Sequence, residues 1–225
     1  MVIAGKIFKL MERTSVEQIA DKLNGYKSEV SLEGADISLV TEIRDLKSSQ
    51  RGLEGLIVRD VPVRLYKRGK MDISFRTIET SFAFFTRNSD IYLLIVEKKH
   101  AANALANKLS ELLFLSIGGI LNSEIQPNVL ESYHRSNPDG TKVMFFDGLD
   151  IPNIDKLSLY GPSLSQTPLY TTYLARGRIW YAVLTSNKYG YVVGITRDAV
   201  VVVFNRLSTE DFMAFVGDEV LQLLS

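Results

Sequence analysis

The sequence predicts an α+β fold of two domains, each an antiparallel sheet covered by helices. Three observations carry that expectation. Alternating and continuous apolar runs of strand length dominate residues 26–96 and 141–203. A few amphipathic stretches with clear start signals interrupt them. A Gly118-Gly119 pair and Pro127 punctuate the middle of the chain, within "SIGGILNSEIQP". The expected domains are residues 1–117 and 118–225.

"VIAGKIFKLM" alternates in its middle and reads as a strand. In "SVEQIADKLNG", Ser15 caps a helix with Gln18 three residues on, and Val16, Ile19, Ala20 and Leu23 share one face before Gly25 ends it. Strands are predicted over 27–32, 36–45, 53–59, 61–68, 71–86 and 90–96. "TRNSD" reads as a hairpin turn and Pro62 as an edge or bulge position. Residues 98–114 form an amphipathic helix along Ala101, Ala104, Leu105, Leu109, Leu112 and Leu113. The first half is therefore a curled antiparallel sheet with its last helix on one face.

In the second half, Pro127 opens a helix. "TKVMFFDGL" and "DKLSLYG" are strands. Thr167 and Pro168 start a helix that stops at Gly177. Three strands follow in "RIWYAVLTSNKYGYVVGITRDAVVVVFNR", turning at "SNKYG" and "TRD". Val200 to Val203 are apolar on both faces, as in a central, doubly covered strand. Ser208 caps a last helix lined by Phe212, Phe215, Val216, Val220, Leu223 and Leu224. The order α-β-β-α-β-β-β-α over residues 127–225, with its three-strand meander, resembles the roadblock/longin/profilin-like domains. That resemblance implies a five-stranded antiparallel sheet with helices on its faces, and dimerisation or docking as its use. Residues 1–115 more loosely resemble TATA-binding-protein-like or helix-grip domains. Neither resemblance carries a functional residue.

At 225 residues the chain buries roughly 70% of its unfolded surface, enough for a core without staples. Its 46% hydrophobic and 23% charged residues are globular composition. With no cysteine, disulfides, thiolate metal sites and a cysteine nucleophile are excluded. That composition fits an intracellular or thermophilic protein, and the cytoplasm is the expected compartment. Lys6, Lys9, Glu12 and Arg13 break any signal-peptide core, and no apolar run is long enough to span a membrane. Net charge is zero, but residues 1–121 carry 18 Lys and Arg against 15 Asp and Glu, and residues 122–225 carry 8 against 11.

Catalytic motifs are missing. The two histidines, His100 and His134, lie in different halves, and no Walker loop, GxGxxG or GxSxG occurs. Asp147, Asp150 and Asp155 offer a loop that either holds a cation or is simply solvated. Glu54, Asp72 and Glu79 are candidates for a dispersed carboxylate site, the only enzymatic reading left. No cofactor is expected.

Two surfaces remain. In "VRDVPVRLYKRGKMDISFR", the period of two puts Arg64, Tyr66, Arg68 and Lys70 on one face, with Arg59, Lys67 and Arg76 nearby. Such a face either follows a nucleic-acid backbone, meets an acidic protein, or is a solvated, charge-guarded edge. The strand at 178–185 offers Ile179, Trp180, Tyr181 and Val183 for self-association, by edge pairing or aromatic packing. A non-enzymatic assembly module, homo-oligomeric or bound to a protein partner, is the first expectation, and a nucleic-acid-binding protein the second.

Overall fold

The computed structural model describes residues 2–32, 37–49 and 51–224, with the side chains of Lys67 and Asp139 excepted. Its strands are β1 (Ile3–Leu10), β2 (Lys27–Ser31), β3 (Ser38–Ser49), β4 (Gly52–Lys67), β5 (Lys70–Arg87), β6 (Asp90–Ile95), β7 (Ile120–Asn122), β8 (Val143–Ile151), β9 (Ile154–Tyr160), β10 (Arg178–Thr185), β11 (Val192–Thr196) and β12 (Val200–Val203). The helices are α1 (Val16–Leu23), α2 (Lys99–Phe114), α3 (Pro127–Arg135), α4 (Pro168–Leu174) and α5 (Thr209–Phe215). Among the described residues no helix is long and apolar enough to cross a membrane.

Local signals decide the helix starts. Ser15 Oγ accepts from the Gln18 N–H while the Gln18 side chain accepts from the Ser15 N–H, a complete capping box. Thr167 and Ser208 cap α4 and α5 in the same way, accepting from the Tyr170 and Asp211 N–H groups. The last helix was expected to run to the C-terminus. Instead α5 widens into a π-helical turn at Val216–Val220 and then a 3₁₀ turn. That wider turn carries the adjacent acids Asp218 and Glu219. Ser186 Oγ and Tyr133 Oη both donate to Glu219, Tyr189 Oη donates to Asp218 at 2.8 Å, and Arg51 lies 3.6 Å from Asp218.

All twelve strands belong to one antiparallel sheet, in the order β2-β3-β4-β5-β6-β1-β12-β11-β10-β8-β9, with β7 paired to β1 off that path. β1 is the joint. It pairs β6 of the first half (Ile7 with Leu94) and β12 of the second (Ala4 with Val202). Two cores lie on opposite sides. α1 and α2 cover one face of the first half, where Ile19, Leu23, Leu105 and Leu109 meet Phe8, Phe82, Phe84 and Leu93. α3, α4 and α5 cover the other side. There Leu130, Tyr170, Phe212 and Phe215 meet Ile179, Ala182, Leu184 and Ile195, and also Ile7, Ala83, Phe85 and Leu94 of the first half. The expected boundary at 117/118 is thus crossed by both a sheet and a core.

Double cover explains "SFAFF" in β5. Phe82 and Phe84 lie under α2, Ala83 and Phe85 under the C-terminal segment, and all four are buried. Gly5 lets α5 approach, since a Cβ there would stand 2.9 Å from both Leu94 Cδ1 and Phe212 Cε1. β12 is central, between β1 and β11, but covered on one face only. Val201 and Val203 are fully buried, whereas Val200 and Val202 are half-exposed. This corrects the expectation of double cover, because among the described residues no helix lies over the other face there.

Candidate functional site

That uncovered face is the first candidate. Cross-strand register sets its rows. Val202, Gly194, Val183, Val143 and Tyr160 form one, and Thr196, Tyr181, Phe145 and Ser158 the next. Phe145 is the hub, with its ring centroid 5.3 Å from Trp180, 5.4 Å from Tyr181 and 6.0 Å from Tyr160. A register shift between Ile179 and Tyr181 brings Trp180 beside Tyr181 on this face. Gly194 leaves room for Tyr181: a Cβ there would stand 2.5 Å from the Tyr181 Oη, so the ring would have to shift. Val143, Phe145, Tyr160, Tyr181, Val183 and Phe204 line a shallow depression of about 440 Å³. Tyr160 is 68% and Phe204 44% exposed. Burial, and secondarily the neighbouring Tyr160, raises the Tyr181 pKa, so its phenol is neutral at physiological pH. Lys156 Nζ lies 5.7 Å from the Trp180 ring centroid at the rim.

Of the residues expected there, Trp180, Tyr181 and Val183 come together. Ile179 does not. It is 1% exposed and sits in the core on the opposite side, because it precedes the shift that turns Trp180 outward. Edge pairing by this strand is also ruled out. β10 lies between β11 and β8, and the sheet's edges are β2 and β9. Phe145, Tyr160 and Phe204 were not foreseen. The signal was present in "VMFFD", where alternation sends Phe146 into the core and Phe145 out, but neither phenylalanine reads as exposed by itself.

The basic residues belong to a different feature. β3 leaves β4 at Arg59, and β6 pairs β5 only over Phe82–Arg87. Between them β4 and β5 continue alone for seven pairs, from Val61 opposite Arg76 to Lys67 opposite Lys70. Among the described residues no third strand flanks this two-stranded arm. Arg68 and Gly69 close it, both with positive φ (49° and 78°), as a primed two-residue turn requires. Asp60 anchors the root, accepting from the Val40 N–H at 3.0 Å and from Thr77 Oγ1 at 2.7 Å, which holds its carboxyl below the usual range. Pro62 sits where β4 has lost its outer neighbour, the edge position expected of it.

Opposite residues share a ribbon face. Arg64 and Tyr66 stand with Pro62, Ile73, Met71 and Phe75, whereas Arg59, Arg76 and Lys70 lie on the other face and Arg68 is in the turn. Lys70 therefore does not share the Arg64 face, a correction to the sequence reading, because the chain reverses at Arg68–Gly69 and the period of two does not carry through a turn. Arg64, Arg68, Lys70 and Arg76 are exposed, and Arg59 half-buried at the root. Lys67 is placed by its backbone alone, and its side chain lies outside the described residues. Tyr66 (78%), Met71 (54%) and Phe75 (44%) are all exposed on the Arg64 face.

Other candidates are dispersed. Among the described residues no three His, Cys, Asp or Glu side chains are placed to hold a metal ion. Asp147 is instead paired with Arg197. Glu54 and Glu79 stand opposite Ala83 and Val58, and Asp72 is far out on the arm opposite Leu65. His100 is exposed. His134 is fully buried, with Nδ1 at 3.0 Å from Tyr170 Oη and Nε2 at 2.5 Å from Thr141 Oγ1.

No protein-family model matches the chain, and a comparison with curated proteins finds no match.

Proposed function

We propose that this protein is a non-enzymatic assembly module of the cytoplasm. It self-associates by stacking the open face of β8–β12 on the same face of a second copy. The observation that supports this is the Phe145-centred aromatic cluster, held on the sheet with no described helix over it. A soluble chain gains by covering such a patch. A two-fold arrangement needs only that one surface fit itself, and two twisted sheets pack face to face at about 10 Å. Tyr160 and Phe204, the most exposed members, would make the contact. Size-exclusion light scattering tests it. The wild-type chain is expected as a dimer. Tyr160→Asp combined with Phe204→Asp is expected as a monomer with unchanged far-UV circular dichroism. A wild-type chain that stays monomeric at its solubility limit would overturn the reading.

A further inference from the structure

We propose that the β4–β5 arm binds duplex DNA by entering its major groove. Shape comes first. Seven pairs at about 3.3 Å per residue make a ribbon of roughly 20–25 Å, and two strands about 4.8 Å apart with their side chains fit a groove about 12 Å wide. Charge comes second. Residues 59–76 hold six basic residues against two acidic ones in a chain whose net charge is zero, so positive charge is concentrated on an arm that no third described strand flanks. Asp60, one of the two acids, is occupied at the root by Val40 and Thr77.

The arrangement of the side chains is the third argument. Basic residues stand on both faces and at the tip: Arg64 on one, Lys70 and Arg76 on the other, Arg68 in the turn. A ribbon lying in a groove turns one face to the base edges, and the phosphates rim its margins, within reach of the long side chains of Arg64, Lys70 and Arg76 and of Arg68 at the tip. Between the charges, Tyr66, Met71 and Phe75 are exposed on the arm. Apolar side chains on a bare ribbon suit the thymine methyls and base edges of a groove floor.

The proposal is independent of self-association, and each is tested by its own readout. Labelled duplex DNA, the same single strand, and poly-glutamate are titrated by fluorescence anisotropy at rising salt. The expected result is duplex binding that weakens steeply with salt. The variant Arg64→Glu/Arg68→Glu/Lys70→Glu lowers the slope of log affinity against log salt by about 3, and abolishes binding at physiological salt. Replacing Pro62–Phe75 by Asn-Gly is expected to abolish binding as well, while light scattering still reports the wild-type oligomer. Thermal melts confirm that each variant is folded. Absent or salt-insensitive binding, preference for the single strand, equal binding of poly-glutamate, or an unchanged triple variant would each overturn the proposal.

Discussion

Lys6 is 1% exposed on β1, in a stretch that otherwise reads as core. Its ammonium donates to Asn103 of α2 at 2.9 Å and Asn122 of β7 at 2.7 Å, and lies 5.1 Å from the Phe8 ring centroid. Burial lowers its pKa, with the Asp198 carboxylate pulling the other way. Lys6→Ala removes the shared donor and is expected to cost about 1–3 kcal/mol in urea melts. His134 carries the clearest pH dependence. Burial, then Arg135, pushes its pKa from 6.5 down to about 4. The unfolded chain therefore binds the extra proton first. Stability is complete above pH 6.5 and is lost as pH falls toward 4, by about 2 kcal/mol between pH 7 and 5. His134→Gln, melted at both pH values, is expected to remove most of that difference. Neither residue is legible in the sequence. A single lysine in an alternating strand reads as solvated, and a lone histidine says nothing of the Tyr170 and Thr141 hydroxyls that bracket it.

At the scale of elements, helix starts were the most legible feature, because Ser15, Thr167 and Ser208 act within one turn of themselves. The arm was half legible. Its two strands and Pro62 were expected, but not that the pairing of β3 with β4 ends at Thr41 opposite Arg59 and leaves the rest unflanked by any described strand. Strand endings depend on neighbours distant in sequence, and no local pattern records them. Among the described residues no third strand pairs with the arm beyond Val61–Arg76, so it adds little to the sheet. Joining Val61 to Arg76 through Asn-Gly preserves the register and a two-residue turn. Chemical melts of that variant are expected to lie within about 1 kcal/mol of wild type. Asp60→Ala, by contrast, leaves the Val40 N–H and the Thr77 hydroxyl without their acceptor and is expected to lower the urea midpoint.

For the molecule as a whole, the element order was readable and the neighbour order was not. β1 pairs with β12 across nearly the full chain, and that contact turns two strand-rich halves into one sheet. Phe212 of the second half packs among Ile7, Phe85 and Leu94 of the first. Two independent folding units would melt in two steps. The shared strand and core predict one calorimetric transition, and Phe212→Ala is expected to lower all of it, by about 3–5 kcal/mol. The open face follows from the same layout: α1 and α2 cover the first half on that side, and no buried cluster includes Phe145 or Tyr181 on the second. Light scattering of the wild-type chain beside Tyr160→Asp/Phe204→Asp tests that layout most directly. A dimer that the double variant converts to a folded monomer is the predicted result. A wild-type monomer, or a dimer indifferent to both substitutions, would contradict it.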